Sequence, residues 1–524
     1  MIDFENVSYS YPDGTKAIDD LSLHISKGER VSFIGGNGSG KTTLALLIDG
    51  IIKPDSGKIK IGGLDPSGDL EGRIIKQKVG LVFQNPDNQL VSTTVEREIA
   101  FSLENRDVIH PELGRRVDNM LRFFGLDEFR TRLISELSGG EKQRLALASV
   151  MVAEPDIIIF DEPESFLDES GKRLLNDAID FLLKEKPDLT VLRITQYAEV
   201  AEAYDRMLAF KDGRLFADGN PASIFSDEVN MSSSKVVPPL KYRLKSTARG
   251  RYDSESASEP MSPDSEGWAG ITADSVCFRY NGDFDGNLFT DFSLSIDNRK
   301  VRGLVGRSGS GKTTLIQLMA RLLKPRRGAV TYHGFPSKKS PVAVSFQQPE
   351  RQFFLETVNK EIRFGAENLG LAGVEAIAAK CYELVGLPKD RFAQRNPFTL
   401  SGGEKRRLAF GTILSLEPAF IMFDEPTCGL DSEGIALFKN LVIQLKQRGV
   451  GIVIVSHYGD IILDLADEVI VLDKGVIASV KSKRDFFRDV DFSSYLSMPE
   501  LLAYQIDAYG EIRYFSEAEL RRNI

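Results

Sequence analysis

The chain of 524 residues has little cysteine, and its cysteines are scattered. Cys277, Cys381 and Cys428 show no CxxC spacing, which excludes an iron–sulfur cluster or a zinc ribbon built from cysteines and fits a reducing compartment. Positive charge is not in excess either, since the formal net charge is -10 at pH 7. A protein that mainly coats nucleic acid is therefore disfavoured.

Long apolar runs are also missing. The apolar runs at 157–160 and 450–455 are the length of strands, well short of the roughly 18 to 20 residues that a membrane-spanning helix needs. The first residues, MIDFENVSYSY, lack the basic and then apolar pattern of a secretory signal. We therefore expect a cytosolic protein, or the cytosolic part of a larger assembly.

Three motifs occur twice, in the same order and at nearly the same spacing. GGNGSGKTT recurs as GRSGSGKTT, LSGGEKQRLA as LSGGEKRRLAF, and IIIFDEP as FIMFDEP. The chain is too long for a single hydrophobic core, and a repeat of this length indicates a duplicated domain. We predict one domain over 1–229 and a second over 269–480.

Two segments lie outside the repeat. Residues 230–268 contain nine Ser and four Pro, which is typical of a flexible linker, although a regulatory or docking segment is the alternative. Residues 481–524 form a C-terminal tail in which short helices are expected.

Each copy contains a predicted strand, a glycine-rich loop and an apolar helix, in the pattern GxxxxGK[ST]. Such a loop binds phosphate through its backbone N–H groups, its Lys neutralises the β and γ oxygens, and its Thr hydroxyl ligates Mg²⁺. A plain glycine-rich turn is the alternative, but the context occurs twice. The predicted ATP-binding residues are Gly35, Asn37, Gly38, Gly40, Lys41, Thr42 and Thr43, and Gly306, Ser308, Gly309, Gly311, Lys312, Thr313 and Thr314.

A pair of acids follows a buried strand in each copy. Asp161 and Glu162 come after the apolar run 157–160, and Asp424 and Glu425 follow 420–423. Ligands bind at this edge of open parallel sheets. We expect the Asp to hold Mg²⁺ through water and the Glu to act as general base. Two surface acids are the alternative for either pair alone.

The LSGGE sequence before a helix, together with the phosphate-binding loop, resembles the signature of ATP-binding-cassette (ABC) ATPases. The resemblance implies an α/β fold of two P-loop NTPase domains, each with a mainly parallel sheet core, an antiparallel β subdomain and an α-helical signature subdomain. It implies ATP and Mg²⁺ as cofactors, and two cassettes that pair within one chain. The signature residues, which would complete the ATP site of the opposite domain, are Ser138, Gly139, Gly140, Ser401, Gly402 and Gly403.

The resemblance assigns roles to further pairs of residues, one in each copy. Tyr11 and Tyr280 match the aromatic residue that stacks on adenine. Gln84 and Gln347 match the glutamine that senses Mg²⁺ and the attacking water, in the segment known as the Q-loop. The aspartates of the loop that crosses between domains are matched by Asp168 and Asp431.

One position of the first copy departs from the family pattern. His457 in IVIVSHYGD matches the switch histidine that contacts the γ-phosphate, whereas VLRITQYAE places Gln196 there. Glutamine can donate a hydrogen bond but cannot supply imidazolium charge. We predict that the second site, with Glu425 and His457, hydrolyses ATP fast, and that the first, with Glu162 and Gln196, mainly binds it. The alternative is that Gln196 substitutes adequately.

The stretch after each Q-loop glutamine has a Pro-acid-x-Gln-apolar pattern, FQNPDNQL and FQQPERQFF. It resembles the short helix of energy-coupling-factor transporter ATPases. That resemblance places six residues at the groove for helices of a membrane scaffold subunit: Pro86, Asp87, Gln89, Pro349, Glu350 and Gln352. A local helix cap with a core contact is the alternative.

The favoured hypothesis is an ATPase subunit of an energy-coupling-factor importer for a vitamin or a transition-metal ion. Its expected partners are an integral membrane scaffold subunit and a substrate-binding membrane component, with no nucleic acid. Its expected place is the cytoplasmic face of the cell membrane, as a peripheral protein. Two alternatives stay open: a tandem-ABC translation factor on ribosomes, which usually carries a long charged arm between its cassettes, and a tandem ATPase of a sugar importer.

Overall fold

The computed structural model describes residues 1–106, 108–167, 169–227, 231, 236–245, 269–280, 287–335, 342–513 and 515–523. The chain divides into two compact units, Met1–Ser246 and Thr247–Ile524. Each unit contains a six-stranded sheet, a three-stranded antiparallel sheet and a set of helices. The predicted fold class is therefore confirmed in both copies.

The described residues of unit 1 form nine strands. They are β1 (Ile2–Ser10), β2 (Lys16–Ile25), β3 (Arg30–Ile34), β4 (Ser56–Ile61), β5 (Val79–Val82), β6 (Ile157–Asp161), β7 (Thr190–Ile194), β8 (Arg206–Lys211) and β9 (Arg214–Gly219). The large sheet has the order β5-β6-β7-β3-β8-β9, parallel except for its last strand, and the small one has the order β2-β1-β4.

The helices of unit 1 are α1 (Lys41–Asp49), α2 (Asp69–Lys78), α3 (Val95–Glu104), α4 (Glu112–Phe123), α5 (Gly139–Met151), α6 (Glu169–Glu185), α7 (Ala198–Glu202), α8 (Pro221–Ser226) and α9 (Leu240–Arg243). Short 3-10 turns lie at Pro86–Asn88, Asp127–Phe129, Ile134–Glu136 and Pro163–Phe166. Helices α3, α4 and α5 pack together as the helical subdomain.

Unit 2 repeats this plan. Its strands are β10 (Gly270–Phe278), β11 (Phe289–Asp297), β12 (Val301–Val305), β13 (Arg327–His333), β14 (Val342–Ser345), β15 (Phe420–Asp424), β16 (Gly451–Val455), β17 (Glu468–Asp473) and β18 (Val476–Ser482). The large sheet has the order β14-β15-β16-β12-β17-β18, antiparallel only at β18, and the small one has the order β11-β10-β13.

The helices of unit 2 are α10 (Lys312–Met319), α11 (Val358–Asn368), α12 (Val374–Leu384), α13 (Lys389–Phe392), α14 (Gly402–Leu414), α15 (Ser432–Gln447), α16 (Gly459–Leu465), α17 (Lys483–Asp489), α18 (Glu500–Tyr509) and α19 (Glu517–Asn523). Short 3-10 turns lie at Pro349–Gln352, Pro397–Thr399 and Phe492–Ser494.

The core of each unit lies on both faces of its large sheet. Strands β6, β7, β15 and β16 are buried at every residue, as expected of parallel strands covered on both sides. The antiparallel sheet and the helix after the phosphate-binding loop cover one face, and the helical subdomain packs on the other. The carboxyl ends of the central strands thereby come to the edge where ligands bind in such sheets.

Parts of the predicted linker and tail are packed. Residues 236–245, which fall in the predicted linker, belong to unit 1, where Val236 and Leu240 are buried. In the tail, Phe486, Phe487 and Leu502 are buried in unit 2. Among the residues that the structure describes, no helix combines the length and the apolar character needed to cross a membrane.

Candidate functional site

The phosphate-binding loop of unit 1 joins β3 to α1 and requires glycine at two positions. Gly35 and Gly40 have φ angles of +155° and +99°. A Cβ atom at Gly35 would lie 2.3 Å from the carbonyl oxygen of Phe210, and one at Gly40 would lie 2.4 Å from that of Ala17. The backbone can therefore follow this path only without side chains at these positions.

The lysine of each loop is buried and held by carbonyl groups of its own loop. Lys41 Nζ donates hydrogen bonds to the carbonyl oxygens of Gly35 (2.8 Å) and Gly36 (3.0 Å). Lys312 Nζ donates to those of Gly306 (2.7 Å) and Arg307 (2.9 Å). Each loop thus concentrates an ammonium charge at a helix N-terminus, the arrangement that binds phosphate.

The other predicted ATP-binding residues lie around these loops. Gly38 and Gly309 both have φ +77° at the loop tips. Tyr11 and Tyr280 bond through their hydroxyl groups to Thr43 (3.0 Å) and Thr314 (2.9 Å). The Tyr280 ring is 53% exposed, so its face is accessible to a stacking base.

A threonine hydroxyl and a strand-end carboxylate meet in each unit. Thr313 Oγ1 donates to Asp424 Oδ2 at 2.7 Å, and Thr42 hydrogen-bonds Asp161 in the same way. Burial raises the pKa of both carboxyl groups to about 6, although these hydroxyl bonds act in the opposite direction. The residues fit a hard cation such as Mg²⁺, since they offer oxygen ligands beside a phosphate-binding loop and a buried carboxylate that a cation would stabilise.

Glu162 brings the other predicted residues of the first site together. Its two carboxylate oxygens accept hydrogen bonds from Gln84 Nε2 (2.9 Å) and Gln196 Nε2 (2.6 Å). Gln196 Nε2 also donates to Asn37 Oδ1 of the phosphate-binding loop at 3.1 Å. Glu162 has a φ of +44°, and burial raises the pKa of its carboxyl group to about 7. A strained, buried carboxylate at this point suits a base that acts near neutral pH.

In the second site Glu425 has the same strained backbone, with φ +47°. Its neighbour is His457, whose Nε2 lies 3.4 Å from Glu425 Oε1 and whose backbone N–H donates to Oε2 at 3.3 Å. The histidine thus faces the Glu425 carboxylate with both its ring and its backbone N–H. Gln347 lies in the loop that follows β14 of the same unit.

We predict that Glu162→Gln stabilises the nucleotide-free protein at high pH. The pKa of Glu162 is raised from 4.5 to about 7, so the folded state binds this proton more tightly than the unfolded state does, and stability falls as the pH rises through this range. The gain should be on the order of 3 kcal/mol at pH 8 and should vanish near pH 4.5. Urea unfolding of both proteins at the two pH values measures it; an equal gain at both pH values would contradict this origin.

The signature loops are exposed in their own units. Ser138 and Ser401 cap α5 and α14, where each hydroxyl accepts from the N–H of a Glu three residues later and that Glu accepts from the N–H of the serine. Gly139 and Gly402 follow at the exposed helix starts, with Gly140 partly buried and Gly403 buried. Their pairing with the opposite unit stays a prediction.

The two aspartates assigned to the crossing loop have different outcomes. Asp431 caps α15 and accepts from the N–H of Gly434 at 2.9 Å. Asp168 lies outside the described residues.

The Pro-acid-x-Gln stretches make contacts mainly within their own units. Pro86 and Pro349 are buried. The amide of Gln89 accepts from Phe83 N (3.1 Å) and donates to Ala146 O (3.0 Å), and Gln352 Nε2 donates to Val344 O (3.0 Å). These glutamines hold the turn against the sheet and the helical subdomain, as the local-cap alternative expects, and their contact with a partner stays a prediction.

The acids of these stretches bond to the signature helices. Asp87 pairs with Lys142 at 2.5 Å, and Glu350 pairs with Lys405 at 3.4 Å. Each pair connects the segment after the Q-loop to the helix that begins at the signature.

Comparison with known proteins identifies the family. The family model for the ABC transporter matches residues 18–165 and 289–428. The chain belongs to the ABC transporter family. It is an ATP-binding subunit of this family and an ATPase.

Relatives of this ABC ATPase match along nearly its whole length. It is 31% identical to a "Putative ABC transporter ATP-binding protein" of Methanosarcina mazei, covering 91% of this chain and 88% of that protein. It is 28% identical to the "Putative HMP/thiamine import ATP-binding protein YkoD" of Bacillus subtilis, covering 98% and 97%. Among solved structures, cbiO1 of Clostridium perfringens, part of the ABC transporter complex cbiONQ, is 33% identical over 44% of this chain and 92% of that chain, with a TM-score of 0.39.

Sequence reasoning missed a residue that supports the second Q-loop of this ABC ATPase. Arg406 of α14 is buried and donates to the carbonyl oxygens of Phe346 (2.8 Å) and Gln347. Gln143 occupies this position in unit 1, where neither of its buried amide atoms has a hydrogen-bond partner among the described residues. The sequence points to this contact only through the last residue of the motif, which is Gln143 in SGGEKQ and Arg406 in SGGEKR.

A second missed feature is a buried ion pair beside Glu162. Arg193 of β7 donates to Glu164 Oε1 through Nε (3.1 Å) and Nη2 (2.7 Å), and both side chains are 3% exposed. Unit 2 has Ile454 and Thr427 at these positions. Glu164 can be seen in the sequence DEPES, but its partner Arg193 lies on β7, so the local pattern does not reveal the pair.

Proposed function

We propose that this chain is the ATP-hydrolysing subunit of an energy-coupling-factor-type importer for a vitamin or a transition-metal ion. The observation that carries the proposal is an exposed apolar groove beside the second Q-loop, with exposed apolar residues at the corresponding positions of the first unit. The occupant that we assign to it is a helix of an integral membrane scaffold subunit, which acts together with a substrate-binding membrane component.

The groove of unit 2 lies between β14, α11 and α14 and has a volume of about 400 Å³. Its rim includes Phe354 and Phe364, which are 63% and 37% exposed. Their rings meet edge to face with centroids 4.7 Å apart. An apolar depression bordered by exposed aromatic rings suits the apolar face of a helix.

Unit 1 exposes apolar residues at the same positions of the repeat. Ile51, Val91 and Phe101 correspond to Leu322, Phe354 and Phe364, and all six are more than a third exposed. Monomeric proteins rarely leave apolar surface of this kind uncovered. The recurrence supports two similar partner helices, one for each unit.

The ion pairs Asp87–Lys142 and Glu350–Lys405 connect the segments near these surfaces to the signature helices. A movement of a signature helix on ATP binding would therefore be transmitted to the bound membrane helix. The similarity to the thiamine import protein of B. subtilis supports uptake as the direction of transport. We place the chain at the cytoplasmic face of the membrane as a peripheral subunit, with no nucleic acid as partner.

We propose the following roles within each ATP site. The loop N–H groups with Lys41 or Lys312 bind the phosphates, and the adenine stacks on Tyr11 or Tyr280. Thr42 with Asp161, and Thr313 with Asp424, would hold Mg²⁺, with Gln84 and Gln347 nearby; the ion neutralises phosphate charge. Glu162 and Glu425 orient the attacking water and accept its proton.

We expect the two switch residues to contribute unequally. His457→Ala should lower the steady-state ATPase rate about 10-fold or more, because it removes a donor to a charged phosphate. Gln196→Ala should change the rate less than about 2-fold, because we propose that the first site mainly binds ATP. Both variants are measured in the assembled complex. Equal losses from both would contradict the asymmetry.

Purification of the full chain from detergent-extracted membranes tests the proposed function. A small integral membrane protein recovered with two further components supports an energy-coupling-factor complex. Recovery of only the membrane subunits of a sugar importer, or sedimentation with ribosomes and no membrane protein, would overturn it. The matched control is the same purification of a variant in which Phe354 and Phe364 of the groove are both replaced by Asp.

A further inference from the structure

We propose that the C-terminal tail of unit 2 holds the switch loop in place and that Ser497 is the positioning residue for His457. This inference rests on the proposed role of His457 in ATP hydrolysis. The switch loop is defined as residues 456–459, which run from the end of β16 to the first residue of α16.

Two hydrogen bonds join Ser497 to the two ends of a three-residue segment. The backbone N–H of Ser497 donates to the carbonyl oxygen of His457 at 2.9 Å. The hydroxyl of Ser497 accepts from the N–H of Gly459 at 3.0 Å. One tail residue therefore fixes the backbone on both sides of Tyr458. A third bond, from Glu500 N–H to Asp460 Oδ1 at 2.9 Å, ties the start of α18 to α16.

The tail lies so close to the switch loop that only glycine fits at position 459. A Cβ atom there would lie 2.2 Å from the carbonyl oxygen of Ser497 and 2.8 Å from Cγ of Pro499. Unit 1 has Ala198 at the corresponding position. The close approach of two backbones is thus a property of the second unit, which carries the histidine.

The tail is itself anchored, so it can hold the loop. Leu496 and Leu502, on either side of the contact, are fully buried. Phe486, Phe487 and Phe492 form a packed aromatic cluster immediately before it, with ring centroids of Phe487 and Phe492 5.0 Å apart. A segment packed in this way resists displacement, and the bonds of Ser497 transfer that resistance to the switch loop.

The consequence for the site is that the backbone of His457 cannot shift away from Glu425 without breaking tail contacts. Its ring and its backbone N–H both face that carboxylate. Catalytic groups must be held within a fraction of an ångström of their working positions, and neighbouring residues supply that restraint. Ser497 thus acts through His457 and does not itself touch the reacting atoms.

The test compares Ser497→Ala, Ser497→Thr and Ser497→Val in the full chain. Aligning Pro239 with Pro499, each of which precedes a helix, places Val237 of unit 1 at the position of Ser497. We expect Ala and Val to lower kcat for ATP about 3- to 10-fold with KM unchanged, and Thr, which keeps the hydroxyl, to retain the rate. Val237→Ser in unit 1 is the matched control and should leave kcat unchanged.

A double-mutant cycle with His457→Ala separates positioning from general destabilisation. If Ser497 acts through His457, Ser497→Ala should cause no further loss in the His457→Ala background. A wild-type kcat for Ser497→Ala, or an equal fold loss in both backgrounds, would overturn this inference alone. A full rate for His457→Ala would overturn the proposed role of His457 and this inference with it.

Discussion

Replacing Glu425 by Gln should lower the steady-state ATPase rate of the full chain at least ~100-fold, the range that loss of a general base produces. Glu425 is the carboxylate that contacts His457 through both the ring and the backbone N–H. Gln keeps the size of the side chain but cannot accept a proton from water. Phosphate release at saturating ATP measures the effect, and KM should change little because the phosphate-binding loop is untouched.

The chain carries its own control for this experiment. Glu162→Gln makes the same chemical change in the first site, where Gln196 and Gln84 are the neighbours. If the second site performs most of the hydrolysis, this variant should retain at least about a third of the rate, a loss far below that of a general base. A loss from Glu162→Gln as large as that from Glu425→Gln would mean that both sites must hydrolyse ATP.

The double substitution Phe354→Asp and Phe364→Asp should weaken recovery of the membrane partner at least ~100-fold, since buried aromatic anchors contribute most of the binding free energy at such interfaces. Both rings are exposed in the isolated unit, so the unit should still fold. The ATPase rate of the isolated chain should therefore stay within about 2-fold. Co-purification from membranes, quantified against the unmodified chain, measures the loss.

Tyr509→Asp is the matched control for the groove. Tyr509 is an aromatic residue 38% exposed on α18 of the same unit and does not line the groove. It should leave recovery of the membrane partner unchanged. Equal loss from the groove variant and from Tyr509→Asp would indicate a nonspecific effect of charge and would contradict the assignment of the groove.

The strands nearest the site could be predicted from sequence because parallel strands covered on both faces are apolar without alternation. The run at 157–160 became β6 and that at 420–423 became β15. Asp161 is the last residue of β6, and Glu162 follows it directly. These features depend on local pattern alone.

Other features could not be predicted because they depend on contacts between distant parts of the chain. The pattern of the Pro-acid-x-Gln stretch does not reveal that Gln89 turns its amide toward Ala146, 57 residues away. The tail suggested only short helices, while its contact with the switch loop joins Ser497 to His457 and Gly459. The ion pair between Arg193 and Glu164 likewise joins residues on different segments, which local pattern does not place together.

The buried pair of Arg193 and Glu164 also limits how the two halves can exchange sequence. Changing one partner alone would leave an uncompensated charge in the core of unit 1, at a cost of about 3 to 5 kcal/mol. The residues of unit 2 at these positions, Ile454 and Thr427, are uncharged. A recombinant of the two copies that crosses over between positions 164 and 193 would combine a charged residue with an uncharged one. We expect such a recombinant to be less stable than the natural chain, because it would keep one member of the buried pair without the other.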